Sequence, residues 1–333
     1  MSTGVLTRLL ASDEPTIRYR TRVALCGEDP AAPELRALQQ AIAASPRVQT
    51  LLSERGPDGR IPHHPYQKWS GAHWVLADLA ELAYPPGDPA LASLLDDEMG
   101  WLLSPAHLKK VRILDGRARR CASQEGNAVL SAIRLGLYDA RVDELVARLL
   151  KWQWPDGGWN CDKRPAAHHS SFMESLIPLR ALVYYARLTG MAAAHQAAER
   201  AAGIFLKRQL FRRLRDGAVM NPDFTRLHYP CYWHYDILAG LKVMAEAGAI
   251  ADPRCQAALD LLESKRLADG SFPAEASYYR VTTQRVSGRS LVSWGGTRKT
   301  QGNEFVTVDA LTVLAAAGRL PIPSQQGVPS FAN

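Results

Sequence analysis

The chain has 333 residues, of which 47% are hydrophobic and 22% charged. That balance is typical of soluble globular proteins and excludes a disordered chain, a coiled coil or a collagen-like fibre. Its 40 basic and 33 acidic residues leave a net charge of +7, which favours an anionic ligand. The basic clusters lack interleaved aromatics, so no nucleic-acid partner is expected. No apolar run approaches the roughly 18–20 residues of a membrane span, and the first residues lack the pattern of a signal peptide. Five cysteines, Cys26, Cys121, Cys161, Cys231 and Cys255, form no C-x-x-C pair. They read as free thiols in a cytoplasmic protein.

In chain order, helices that are apolar on most sides are predicted near 15–25, 70–84, 121–137, 170–189, 231–248 and 304–318. Between them lie five amphipathic helices with a charged face, near 32–44, 91–103, 143–150, 192–206 and 254–264. Strand-like alternation is nearly absent, its best candidate being 278–283. Gly59, Gly116, Gly157, Gly217 and Gly270 each follow an aspartate at a turn. Their recurrence at about 50 residues marks a repeat in which each helix pair buries its face on its neighbours. A helix apolar all round is a buried helix. Six such inner helices with about five outer partners predict an all-α fold, a single α/α toroid over 1–320 with a C-terminal tail at 321–333. The stretch 272–303 breaks the repeat and reads as a loop or lid insertion, with Trp294 as a hydrophobic anchor.

One motif points to a family. Gln153-Trp154-Pro155-Asp156-Gly157-Gly158-Trp159 has the pattern Gln-x-x-x-Gly-x-Trp, with degenerate echoes at Arg55…Gly59-Arg60-Ile61, Arg213…Gly217-Ala218-Val219 and Arg266…Gly270-Ser271-Phe272. It resembles the squalene cyclase repeat of terpenoid cyclases, whose relatives include protein prenyltransferase β subunits; both are α/α toroids. The resemblance implies that Trp154 and Trp159 are scaffold, tying an outer helix end to its turn. The chain departs from it in lacking the Asp-x-Asp-Asp acid motif, so carbocation cyclisation is unsupported. Asp96-Asp97-Glu98 is the nearest acidic run and reads as a solvated outer face. The prenyltransferase likeness implies, as an alternative, a zinc-dependent prenyl or alkyl transferase. A metal would fall to Cys161, Asp162, Cys231 and His228, but Cys161-Asp162 reverses the family's order. The expectation is therefore no metal and no cofactor.

Parallel inner helices gather their N-termini, with free N–H groups and partial positive charge, at one rim. The polar residues of the predicted inner-helix starts concentrate there. Glu125, Glu174, His234 and Asp236 are the candidate catalytic residues, with Glu174 and His234 as an acid–base pair. His73, Trp74, Arg120, Gln124, Asn127, His228, Tyr229, Tyr232, Trp233 and Glu304 are the candidate substrate contacts. Arg119 and Arg120 are placed to meet an anionic group. The acids also suit helix N-termini electrostatically, and Ser171-x-x-Glu174 has capping-box spacing. Pro178, inside a helical run, predicts a kink that opens the cavity. The functional expectation is an enzyme acting by acid–base chemistry on a small, partly apolar molecule, isoprenoid-like or anionic, in the central cavity. Its reaction would be that of a lyase, an isomerase or cyclase, or a hydrolase. The alternative is a non-catalytic binding or interaction scaffold, which a plugged cavity would favour.

Overall fold

The computed structural model describes residues 3–320; the predicted tail at 321–333 lies outside the described residues. Fourteen helices and two small strand pairs are found among them. Six helices form the inner ring: α2 (Pro15–Cys26), α5 (Ala72–Glu81), α8 (Ser123–Arg134), α10 (Phe172–Thr189), α12 (Ile237–Glu246) and α14 (Glu304–Ala316). Each packs on the next from α5 through α8, α10, α12 and α14 to α2. The ring closes where Thr16 Oγ1 donates to the Leu82 carbonyl at 2.9 Å. The outer helices α3 (Pro33–Ala43), α6 (Ala92–Leu103), α9 (Ala140–Trp152), α11 (Ala192–Lys207) and α13 (Gln256–Glu263) lie against them. All six predicted inner helices are present, and the architecture is an all-α toroid.

The outer ring has six members rather than five. The sixth is α1 (Thr3–Leu10), which packs on α2 through buried Val5 and Leu9. Eight residues are too few for a clear helical period, so the sequence reading passed over it. Arg8 of α1 pairs with Asp269 at 2.9 Å, joining the first outer helix to the last Asp-Gly turn. Two short helices, α4 (Pro46–Leu51) and α7 (Pro105–Leu108), sit in the connections, each begun by a serine N-cap followed by proline. Strands β1 (Arg112–Leu114) and β2 (Arg117–Arg119) form a hairpin, unforeseen in the sequence. Its turn is Asp115-Gly116, both at positive φ, a pair favoured in two-residue hairpin loops. Strand β3 (Arg280–Val281) lies within the predicted 278–283 and pairs in parallel with β4 (Arg289–Ser290), which lies outside it.

The Gln-x-x-x-Gly-x-Trp turn is scaffold in every bond. Gln153 Nε2 donates to the carbonyls of Gly157 and Ala197, both at 2.8 Å, tying the end of α9 to α11. Trp159 Nε1 donates to Leu149 at 3.0 Å and Trp154 Nε1 to Ala118 at 2.8 Å. A Cβ on Gly158 would stand 2.4 Å from Ser175 Oγ of α10, so only glycine permits this approach. Pro178 does not open the cavity. Helix α10 runs through it, and Gly126 of α8 fills the notch, where a Cβ would lie 2.8 Å from Pro178 N.

An ion network occupies the ring's interior, and every inner helix contributes. Glu81 of α5 takes Arg134 of α8 at 2.7 Å, Lys242 of α12 at 3.0 Å and Arg180 of α10. Arg180 also pairs with Glu246 of α12 at 2.6 Å. Lys242 reaches Asp309 of α14 at 3.1 Å, and Arg20 of α2 pairs with the same carboxylate. Burial opposes the charge on Glu81, but Arg180, Lys242 and Arg134 outweigh it and hold the carboxyl well below its ordinary value. Asp309 is lowered by Arg20 and Lys242 against the same opposition. Because both folded values lie below the unfolded ones, this contribution is complete above about pH 4.5 and fades as pH falls further. Glu81→Gln is expected to destabilise the fold by about 3 kcal/mol at neutral pH, since it leaves Arg134 without a carboxylate and takes one of two from Arg180 and Lys242. Urea denaturation should show this loss shrinking as the pH is lowered below that value; equal stability at neutral pH would contradict the role.

Candidate functional site

The long connections collect at the rim where the inner helices begin, around 52–71, 104–122, 153–171, 208–236 and 264–303. Most of the predicted rim residues are spent there on pairs that fix the rim itself. His73 Nδ1 lies 2.6 Å from Glu98 Oε1, both fully buried. Only Asp96 and Asp97 of the acidic run face outward, to Arg141 and Arg60; Glu98 is a correction to the solvated-face reading, turned inward by the helical period. Glu125 is buried against Arg120 at 2.9 Å and His107 at 3.2 Å. Burial opposes its charge, but the hydrogen bond with His107 and the charge of Arg120 prevail and hold it below its ordinary value. Gln124 accepts from Arg120 at 2.6 Å. Asp236 caps α12 through Ala239 N at 2.7 Å and accepts the His228 backbone N–H at 2.8 Å. Its carboxylate also lies 2.8 Å from His228 Nδ1. Glu304 is exposed and accepts from Ser12 at 3.0 Å. Arg119 is buried under Trp154 and donates to the Ala167 carbonyl at 2.7 Å, so it does not face an anion at the rim.

The predicted Glu174–His234 pair is not formed. Glu174 accepts from Ser123 N at 3.1 Å and lies 3.5 Å from Cys161 Sγ. Ser171 caps no backbone N–H, so the capping box is absent too. Burial raises the Glu174 carboxyl above its ordinary value. His234 is stacked between Tyr278, at 3.6 Å, and Trp233, at 4.0 Å. Burial, with the charges of His228 and Lys68, pushes His234 down to about 3, so it is neutral at physiological pH. The predicted metal set also comes apart. Asp162 is held by Arg164 at 2.5 Å, His228 by Asp236, and Cys231 faces the lumen. These residues diverge because adjacent positions in an irregular loop need not point the same way.

Inside the ring is a cavity of about 70 Å³. Its apolar walls include Leu130, Leu176, Ile177 and Val243. Asp78, Asn127, Tyr229 and His234 line it as well, and each has a buried polar atom without a protein hydrogen-bond partner. Such groups are uncommon in folded proteins and call for an explanation. Asp78 is buried, and desolvation, reinforced by Glu81, raises its carboxyl well above the ordinary value, which favours the protonated form. The sequence reading missed Asp78, although a lone acid inside the apolar run Trp74–Leu79 was a legible signal. Overhead, Tyr232 stacks on Trp69 at 3.9 Å, with Trp74 edge-on to both. Tyr232 has φ +48, a region that bulky residues rarely adopt and that clusters at functional sites.

The segment 272–303 lies across this roof. Trp69 Nε1 donates to the Tyr278 carbonyl and Trp69 N to the Arg289 carbonyl, both at 2.8 Å. Arg289 pairs with Glu54 at 2.6 Å, and Trp294 packs on Tyr229 and Phe305. Thus Asn127, Tyr229, Tyr232 and His234 of the predicted set meet at the lumen, Trp74 joins their roof and Trp233 stacks on His234. A larger open groove of about 730 Å³ along α10 and α11 is lined mostly by small apolar residues, with Arg187, His195, Gln196 and Glu199 among them. No helix among the described residues is long and apolar enough to cross a membrane.

No family model and no curated protein matches the chain. Among solved structures it is similar to a UGL variant with dGlcA-Glc-Rha-Glc, at 13% identity over 90% of this chain and 84% of that one, with a TM-score of 0.43. It is also similar to the type II terpene cyclase MstE from Scytonema in complex with merosterolic acid A, at 16% identity over 87% of this chain and 100% of that one, with a TM-score of 0.29. The apo form of MstE gives 16% identity, 85% and 99% coverage, and a TM-score of 0.27. At these scores the likenesses carry nothing about substrate or reaction, and the toroid rests on the helix contacts described above. Asp236→Ala should lower stability by about 2–4 kcal/mol, the loss of a helix cap plus an unsatisfied buried N–H. Asp236→Asn, which keeps the cap, should recover part of that in a urea titration; no difference between the two would show that the cap contributes nothing.

Proposed function

We propose that the chain is an enzyme that transfers a proton to a small, partly apolar molecule held in the lumen, with Asp78 as the donor. The observation that supports this reading most is the buried Asp78 carboxyl, shifted toward its protonated form by desolvation and with Oδ2 unpartnered, in a cavity with apolar walls. A carboxylic acid kept neutral by burial is a competent general acid at neutral pH. Asn127, Tyr229 and His234 would bind the polar part of the substrate, and Leu176, Ile177 and Val243 its apolar part. Proton donation of this kind serves a lyase or an isomerase. The substrate is small: about 70 Å³ is far below the roughly 300–1,000 Å³ that encloses a drug-sized ligand. An isoprenoid chain therefore does not fit beneath the closed Trp69–Tyr232 roof. The same small volume favours a second reading, a non-catalytic scaffold whose lumen is nearly filled.

Mass spectrometry of a small-metabolite extract, incubated with wild type and with Asp78→Asn, separates the two. The expected result is a compound consumed by wild type and untouched by the variant. The fold should not suffer. A carboxyl raised in the folded state destabilises that state as pH climbs above its unfolded value near 3.8, because only the unfolded chain then ionises. Asp78→Asn should therefore match or exceed wild-type stability at pH 7. Equal turnover by both proteins rejects Asp78 as donor, and turnover by neither favours the scaffold.

A further inference from the structure

Proton transfer in the lumen makes no use of a second cluster, at the rim between α8 and α10. Cys121 stands just before α8, Cys161 just after the Gln-x-x-x-Gly-x-Trp turn, and Glu174 in the first turn of α10. Backbone pairing brings the two cysteine segments together: Arg119 bridges Asn160 in parallel, and Arg120 N donates to the Asn160 carbonyl at 3.1 Å. One sulfur from each cysteine and one Glu174 oxygen all lie within 4.8 Å of one another. Three groups that become anionic on losing a proton thus share one small volume. Without a cation they resist ionisation. The neighbouring Cys121 thiol, burial and the Glu174 carboxylate all push the Cys161 thiol far above its ordinary value.

We propose that Cys121, Cys161 and Glu174 form a zinc site with one coordination position open. Two thiolates and a carboxylate suit this borderline-soft divalent ion, and three protein ligands with a free fourth position is its usual non-structural arrangement. With Zn–S near 2.3 Å and Zn–O near 2.1 Å, a tetrahedral angle places sulfur and oxygen about 3.6 Å apart. Cys161 Sγ and Glu174 Oε1 are 3.5 Å apart. The second carboxylate oxygen is already held by Ser123 N at 3.1 Å, an outer contact that orients the ligand. Lys68 interacts electrostatically with Cys121, and its ammonium offsets part of the excess negative charge of the loaded site. Both cysteines are only half-buried, so the ion can enter from the rim. On binding, Zn²⁺ replaces the two thiol protons, which pass to solvent.

The test uses the full chain, reduced and stripped of metal, titrated with Co²⁺ as a spectroscopic substitute. One Co²⁺ per chain should bind with a thiolate-to-cobalt charge-transfer band and the intense visible band of a tetrahedral site, both abolished by added Zn²⁺. Cys121→Ser, Cys161→Ser and Glu174→Gln should each weaken binding at least about tenfold, and Asp162→Asn should leave it unchanged. No charge-transfer band, or one that survives loss of both cysteines, overturns the proposal. Should the serine variants fail to fold, alkylation of the wild type followed by peptide mass mapping decides: Zn²⁺ should slow modification at Cys121 and Cys161 but not at Cys26, and equal rates overturn the site. Asp78→Asn should bind Co²⁺ as wild type does, so this site stands or falls independently of the proton-transfer reading.

Discussion

Glu81 is the point on which the ring turns. Six helices running the same way around an axis leave an interior that their side chains must fill. Here all six send a charge into it, and Glu81 receives three cations from three different helices. Ionised groups removed from water are tolerated only when they are paired. Each inner helix can therefore slide or rotate only by stranding a charge that another helix relies on. An apolar interior would tolerate such shifts more readily, because hydrophobic contact has no direction. The network thus fixes the relative rotation of the inner helices, and with it the groups each one presents at the opposite rim.

That rim follows a second rule. Parallel helices bring their unpaired N–H groups and the long connections to the same end. Carboxylates and histidines are the natural partners for these groups, and three buried carboxylate–histidine contacts form there. What looks in sequence like a catalytic constellation is in large part the fastening of the rim. Few reactive groups remain outside it. One is the Asp78 carboxyl, its proton affinity raised by burial, below a roof of stacked aromatics. Another is the thiol–carboxyl cluster between α8 and α10. These two differ in chemistry: the first is favoured in its protonated form by burial beside Glu81, while the second is short of positive charge.

The sequence alone determined the inner helices, their order, the repeat and the structural use of Trp154 and Trp159. Hydrophobic period, Asp-Gly turns and one motif are local signals, and local physics decides where a helix starts and which face is apolar. It could also have shown Asp78, a lone acid within an apolar run. Only the tertiary structure decided who pairs with whom. Whether Glu174 meets His234 or Cys161 depends on a backbone bridge between Arg119 and Asn160, residues far apart in the chain. Whether Glu98 faces water or His73 depends on the rotation of an outer helix against the ring. Proton affinities, cavity size and metal-ligand geometry follow from distances of a few ångströms between distant segments. Such distances are set by packing, which no spacing along the chain encodes.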